Sequence, residues 1–195
     1  MKGSKIAISI LGRPGSGKDT QAELLAKKFN LVHLKSGEII AVALKKRKGA
    51  NIEKERYLQK SGSLVSPKFV SALMIEKIKS LAEHNKGIIM SGSPRTLPEI
   101  KDELPLFKKL YGKNIFFLHV AISPKEVYIR NLKRRRKDFP ELDTRKVIKK
   151  RLAVFNHETL PVIKYLKSKK LIFDINGEQP IAKIHKDILK ILPKA

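Results

Sequence analysis

The segment GRPGSGK, from Gly12 to Lys18, combines residue types that can bind phosphate. Glycines let successive backbone N–H groups point at phosphate oxygens, a helix N-terminus adds partial positive charge, and a lysine at the end of such a loop reaches terminal phosphates. An apolar run before Gly12 and an amphipathic segment after Lys18 supply the required strand and helix. The same residues could form an ordinary strand-to-helix turn, but the match in this setting predicts a phosphate-binding loop.

The composition points to anionic partners and limits the chemistry. The 195 residues include 43 Lys and Arg against 18 Asp and Glu, a formal net charge of +25, which gives a strong positive field. The absence of cysteine excludes disulfides and thiolate zinc sites, and the five histidines are too far apart in sequence to predict a metal cluster or a catalytic role. The N-terminal apolar run is too short for a signal peptide, and no segment is long enough to cross a bilayer. We expect one cytoplasmic domain without membrane association.

Short apolar, β-branched runs alternate with longer segments of helical periodicity. The runs are nearly continuous, which is typical of strands buried on both faces. Strands are predicted over residues 5–11, 31–34, 87–90, 115–122 and 171–175. Helices are predicted over 20–29, 67–84, 124–134, 144–167 and 180–192, the fourth bent near Pro161 because proline lacks a backbone donor. This alternation predicts an α/β fold with a parallel five-stranded sheet flanked by helices.

Two polar, basic segments interrupt the alternation. The segment 36–66 offers two short helices with weak apolar stripes, and the segment 134–144 contains the basic sequence RRRKDFPEL. Both resemble insertions that project from a core and move over a ligand. The predicted organisation is one domain over residues 1–195, with a core formed by 1–35, 67–133 and 145–195.

Several motifs extend the similarity beyond the phosphate-binding loop. In chain order they are GRPGSGKDTQ at 12–21, SGE at 36–38, GSLVS at 62–66, SGSPRT at 91–96, RNLKRR at 130–135, KKRLAVFNHETLPVIKY at 149–165 and INGEQPIAKI at 175–184. Together they resemble the adenylate kinases and related nucleoside monophosphate kinases, which carry the loop threonine one place later, as Thr20 does here. This combination is far more specific than a phosphate-binding loop alone.

The resemblance implies a P-loop NTPase-type fold in which segment 36–66 binds a nucleoside monophosphate and 134–144 forms a short lid. It implies a monomer that transfers the γ-phosphoryl group of ATP to a monophosphate, with AMP the first choice and Mg²⁺ as cofactor. Such transfer passes through a loose, highly charged state, so the protein supplies mainly cations and positioning. The catalytic residues implied are Lys18, Arg95, Arg130, Arg134 and Arg151.

The resemblance also implies two substrate sites and a metal site. The ATP site would comprise Gly12, Gly15, Ser16, Gly17, Lys18, Asp19, Thr20, Arg130, Arg134 and Gln179. The acceptor site would comprise Ser36, Lys45, Ser63, Leu64, Val65, Gly92, Arg95, Glu99 and Arg151. Thr20 and Asp19 would meet the metal, largely through water and phosphates.

Some positions depart from the family pattern. Ser91 stands where the family has an aspartate that holds water around Mg²⁺, and we hypothesise that Asp19 partly replaces this carboxylate, the alternative being that it only stabilises the start of the helix. Ala41 stands where the family has an arginine that holds the acceptor phosphate. Lys45, one turn later, is the expected replacement.

The acceptor-base and lid positions depart as well. Glu99 replaces a glutamine that bonds adenine in the family, and because a carboxylate only accepts hydrogen bonds, guanine with two adjacent donors would match it better. The lid has Pro140 and Leu142 in place of an arginine and an aspartate, and keeps Asp143. Replacement charge is expected from Arg135, Arg136 and Lys137.

Three alternatives remain open at this point. The acceptor could be GMP, CMP or UMP instead of AMP. The chain could be a catalytically impaired relative that binds nucleotides or nucleic acid, which the charge favours but the lack of an aromatic stacking pattern disfavours. A kinase for a small non-nucleotide acceptor, such as shikimate or gluconate, would share the phosphate-binding loop but not the motifs at 62–66 and 91–99.

Overall fold

The computed structural model describes residues 5–61, 63–134 and 140–193, without the side chains of 140 and 141. Its sheet has five strands: β1 (Ala7–Leu11), β2 (Val32–Lys35), β3 (Ile88–Ser91), β4 (Ile115–Ala121) and β5 (Ile172–Asn176). They lie in the order β2-β3-β1-β4-β5, and every neighbouring pair is parallel. The predicted sheet is thereby confirmed, and the strand carboxyl ends share one edge.

The helices cover both faces of the sheet. They are α1 (Lys18–Phe29), α2 (Ser36–Lys46), α3 (Ala50–Lys60), α4 (Pro67–Glu83), α5 (Leu97–Tyr111), α6 (Pro124–Arg134), α7 (Arg145–Val154), α8 (Leu160–Ser168) and α9 (Ile181–Leu189). One buried cluster joins a sheet face to α4, α5 and α8, and a second joins the opposite face to α1 and α9. Within the described ranges, no helix is both long and apolar enough to span a bilayer.

Helix α5 was not predicted from the sequence. It contains Pro105 in its interior, which argues against a helix locally, whereas Pro98 in its first turn is compatible with one. Its apolar residues nevertheless recur on one face, where Ile100, Leu104 and Phe107 are buried. Burial of this stripe against the sheet outweighs the local cost of proline.

The predicted helix over 144–167 has a wide turn in the middle. Helix α7 ends at Val154, a π-helical turn covers Phe155–Thr159, and α8 follows. The N–H of Leu160 bonds the carbonyl of Phe155, and Pro161 next to it has no N–H to donate. A π-helical turn therefore lies immediately before the proline at which the sequence predicted a bend.

Candidate active site

A cleft of about 710 Å³ opens along the carboxyl edge of the sheet. The phosphate-binding loop, the end of β3, the 36–66 insertion and α7 all line it. Four cationic side chains of the predicted site lie in its wall: Lys18, Arg95, Arg134 and Arg151. Lys18, Arg95 and Arg151 also line a small adjoining cavity of about 70 Å³ beneath the loop. The fold thus brings together cations that are far apart in the chain.

The phosphate-binding loop owes its shape to glycine and to a contact from α6. Gly15 and Gly17 have φ of +83° and +85°, a region that favours glycine. A Cβ on Gly15 would lie 2.5 Å from the side-chain nitrogen of Asn131, and that nitrogen donates to the carbonyl of Pro14 at 3.0 Å. Ser16 is fully buried, and Gly12 lines the small cavity. Asn131 therefore holds the phosphate-binding loop in place from α6. This residue was not among the predicted site residues.

Lys18 and Asp19 form an ion pair at the cleft, with Nζ and Oδ2 3.8 Å apart. Burial lowers the pKa of Lys18 to about 8, against the opposing effect of Asp19. The charge of Lys18 lowers the pKa of Asp19 to about 2, helped by a hydrogen bond with Ser91. Asp19 therefore remains a carboxylate at neutral pH.

His33 belongs to the same group, although no sequence pattern marks it as a site residue. Its Nε2 lies 2.9 Å from the hydroxyl of Ser91, and the same hydroxyl bonds Asp19. Burial lowers the pKa of His33, so the ring is neutral and can donate one N–H. A chain from His33 through Ser91 to Asp19 orients the carboxylate at the position where the sequence lacks the expected aspartate.

Arg95 is held by backbone and side-chain groups around Gly92. Its Nε donates to the carbonyl of Gly92 at 2.5 Å, and its Nη2 lies 3.5 Å from the hydroxyl of Ser36. Ser36 is buried and donates to the same carbonyl at 2.8 Å. Gly92 has φ of +81°, and a Cβ there would lie 2.7 Å from Nη2 of Arg95. Ser36 thus lies behind the cleft wall and supports Arg95.

The acceptor half of the cleft has an apolar wall. Ser63, Leu64 and Val65 line it as predicted, together with Ile40 and Val70. Glu99 is a polar residue in this wall and is only 2% exposed. Burial raises the pKa of Glu99 above its ordinary value. Ala41 also lines the cleft, whereas Lys45 is an exposed residue outside its lining.

Ser16 and Gly17 of the phosphate-binding loop lie outside the cleft lining, and so do three more of the predicted residues. Arg130 donates to Glu126 at 2.6 Å and to the carbonyl of Gly177 at 2.9 Å, which ties α6 to the loop after β5. Gln179, in that same loop, donates to Asp187 at 2.9 Å. Thr20 is exposed on α1. The ATP roles of these three residues stay predictions, as does the acceptor role of Lys45.

The lid is described only in part. Arg134 and Leu142 line the cleft, and Asp143 is buried. Arg135, Arg136 and Lys137 lie outside the described residues, as do Gly62 of the predicted acceptor motif and the side chain of Pro140. The expected replacement of lid charge therefore stays a prediction.

The oxygen donors in the cleft fit a Mg²⁺ ion that is bound mainly by its substrates. Mg²⁺ prefers oxygen ligands and keeps several waters beside one or two carboxylates and phosphate oxygens. Asp19 supplies an ionised carboxylate, and Ser91 a hydroxyl beside it. In the described part of the chain, no group of three or more His, Asp or Glu side chains could hold a metal alone.

Comparison with known proteins shows which family this chain resembles. The family model for adenylate kinase matches residues 10–171. The adenylate kinase of Leptospira biflexa is 30% identical over 183 residues, which are 94% of this chain and 97% of that protein. Adenylate kinase 1 of Nostoc sp. is 32% identical over 172 residues, 88% of this chain and 90% of that protein. For the Bacteroides fragilis adenylate kinase the identity is 30% over 184 residues, with 94% and 96% covered.

The chain belongs to the adenylate kinase family. The resemblance predicted from the motifs is confirmed, and so is the P-loop NTPase-type sheet. The matched region runs from the end of β1 to the residue before β5, so it contains Lys18, Arg95, Arg134 and Arg151. Membership in this family of nucleotide kinases disfavours the non-nucleotide acceptors.

Proposed function

We propose that this protein catalyses the reaction ATP + AMP to 2 ADP. The observation that carries the proposal is the convergence of Lys18, Arg95, Arg134 and Arg151 on one cleft with an apolar acceptor half. Two nucleotides meeting end to end there bring several negative charges together, which these cations can balance. The family relationship supports the same reaction.

In the proposed mechanism an oxygen of the AMP phosphate attacks the γ-phosphorus of ATP in line with the leaving ADP oxygen. One P–O bond forms as the other breaks. Any proton that the phosphates of AMP or ADP lose or gain is exchanged with solvent. Lys18 and the loop N–H groups hold the phosphates of ATP, and Arg95 holds the acceptor phosphate. Arg134 and Arg151 balance the charge that spreads over the transferred phosphoryl group. Their guanidinium groups suit this role because they are planar, always ionised and able to bond two phosphate oxygens.

Mg²⁺ would neutralise phosphate charge when bound, and Asp19 with the adjacent Ser91 would hold its water shell. The support is the position of the Asp19 carboxylate in the cleft, ionised by the Lys18 charge and oriented through Ser91. Dependence on Mg²⁺, a monomeric state and a cytoplasmic location belong to the same proposal.

Changing Asp19 to Asn tests this carboxylate directly. We expect the Mg²⁺ concentration that gives half-maximal rate to rise about tenfold, since the charged group that would hold the water shell of the ion is lost. Titration of Mn²⁺ in the presence of ATP by electron spin resonance should show the same weakening without turnover. An unchanged metal requirement together with unchanged Mn²⁺ binding would leave Asp19 as a helix-stabilising residue only.

The reaction itself is tested with purified protein, ATP, Mg²⁺ and each nucleoside monophosphate in turn. We expect ADP to form with AMP, and the Arg95→Ala and Arg151→Ala variants to lose at least about a thousandfold in rate. Turnover with GMP, CMP or UMP and not AMP would correct the acceptor. No turnover with any of them, combined with tight binding of RNA or DNA, would favour the nucleic-acid-binding alternative.

A further inference from the structure

A buried polar cluster lies against the acceptor wall of the cleft. It consists of Ser93, Glu99 and Glu103, and we call it the serine–glutamate cluster. Ser93 and Glu103 are 0% exposed and Glu99 is 2% exposed. The two glutamates are one turn apart on α5, and the hydroxyl of Ser93 lies 3.3 Å from Glu103 and 3.5 Å from Glu99. Neither Glu103 nor Ser93 has a role in the proposed phosphoryl transfer.

The number of protons in this cluster determines its hydrogen bonds. A serine hydroxyl has one proton, so it can donate to only one of two carboxylates. The second contact needs a proton on a carboxyl group. Burial and the charges of Glu99 and Asp102 raise the pKa of Glu103 well above its ordinary value. Glu103 therefore carries the proton and donates to Ser93, and Ser93 donates to Glu99.

The remaining contacts of Glu99 can be counted in the same way. Its Oε2 accepts the backbone N–H of Arg95 at 2.9 Å, and its Oε1 accepts the hydroxyl of Thr96 at 3.0 Å. With Ser93, three donors surround the carboxylate from the protein side. A carboxylate offers about four acceptor sites, so a single site is left for a ligand in the cleft.

From this geometry we propose that Glu99 selects the base of the monophosphate through one free hydrogen-bond-accepting site. Ser93 and Glu103 are positioning residues that leave Glu99 with this one site only. Adenine gives one N–H of its exocyclic amine to this site, while its ring nitrogen N1 needs a donor other than Glu99. Guanine presents two adjacent donors there, so one N–H would be buried without a partner, which is disfavoured. This inference rests on the proposed function, and it removes the reason for expecting guanine from the sequence.

The decisive experiment compares AMP and GMP as acceptors in the Ser93→Ala variant. Loss of the hydroxyl releases one of the three donors that hold the carboxylate, so Glu99 can turn and present a second acceptor site to the cleft. The KM for GMP should then fall about tenfold with little change in kcat for either acceptor. The ratio of kcat/KM for AMP to that for GMP should therefore fall about tenfold. A merely structural role for Ser93 would weaken both acceptors alike and leave this ratio unchanged.

The Glu103→Gln variant is the matched control. Its amide N–H can still donate to Ser93, so the AMP preference of the parent should be kept. If Ser93→Ala does not fold, the Glu99→Gln variant carries the test. An amide has only one accepting oxygen, so its preference for AMP over GMP should equal or exceed that of the parent, and a lower preference would overturn the inference.

The outcomes also separate this inference from the proposed function. If the parent uses AMP and Ser93→Ala leaves the AMP to GMP ratio unchanged, only the role of the serine–glutamate cluster is wrong. A parent that prefers GMP would overturn the base selection and leave phosphoryl transfer intact. A parent that uses no monophosphate would overturn both.

Discussion

At the scale of single residues, the cleft depends on groups whose charge is set by their neighbours. Lys18 and Asp19 stabilise each other's charged forms, whereas Glu99 and Glu103 oppose each other in a buried site. Two carboxylates beside one hydroxyl cannot both be ionised without a large cost. One of them must hold a proton, and the protein must lose stability when that proton leaves.

The Glu103→Gln variant tests this cost through the pH dependence of stability. The pKa of Glu103 is raised by folding, so its neutral form stabilises the native state fully below the ordinary value of 4.5, and this stabilisation is lost as pH rises through the folded-state pKa. The free energy of unfolding of the variant should therefore exceed that of the parent increasingly as pH rises from about 5 to 9. Urea denaturation at several pH values measures the free energy of unfolding of both proteins. If the two curves of this free energy against pH run parallel, the prediction is wrong.

At the scale of secondary-structure elements, Arg13 connects three parts of the site. It belongs to the phosphate-binding loop, its Nη1 donates to the carbonyl of Ile122 after β4, and its Cζ lies 5.7 Å from the centre of the Phe155 ring. Phe155 lies in the π-helical turn, one turn after Arg151. The contact therefore sets the distance between the loop and the arginine of α7.

Replacing Arg13 by Leu should lower both stability and activity. We expect a loss of about 2 kcal/mol in the free energy of unfolding, since a charged hydrogen bond and a cation–π contact disappear. The kcat should fall about tenfold because Arg151 shifts relative to the loop. Arg47→Leu is the control, as Arg47 makes a similar contact with Phe69 at 5.4 Å outside the cleft. Equal effects of the two variants on kcat would contradict a positioning role for Arg13.

At the scale of the whole molecule, the chain carries far more positive than negative charge. The formal net charge is +25, and four cations converge on one cleft. Such an excess attracts anionic substrates but destabilises the compact state through self-repulsion. Salt weakens both effects, so stability and substrate affinity should respond to it in opposite directions.

The melting temperature and the KM for ATP can be measured as salt is raised from about 0.01 M to about 0.1 M. Over this interval the Debye length falls from about 30 Å to about 10 Å. The melting temperature of the free protein should rise, because repulsion between its lysines and arginines is screened. The KM for ATP should rise over the same interval, because attraction to the cleft is screened as well. A melting temperature that falls with added salt would show that favourable ion pairs outweigh the repulsion.

The sequence predicted the elements whose structure is decided locally. Buried runs, helical periodicity and the glycines of the phosphate-binding loop gave the five strands, the loop and the order of the motifs. They did not predict α5, because Pro105 opposes a helix locally and burial against the sheet is what favours one. Lys45, near the end of α2, is exposed and lies outside the cleft lining, so its acceptor role stays a prediction.

The sequence by itself therefore determined the fold class, the family and which cations could meet a phosphate. Only the tertiary structure decided which of them share a cleft, that Ser36 supports Arg95 from behind, and that Glu99 has one acceptor site left. Periodicity and motif spacing depend on neighbours along the chain, whereas the hydrogen bonds of Glu99 and the surroundings of Glu103 depend on groups that the fold packs together. On the proposal made above, a carboxylate that suggested guanine in the sequence selects adenine in the folded protein.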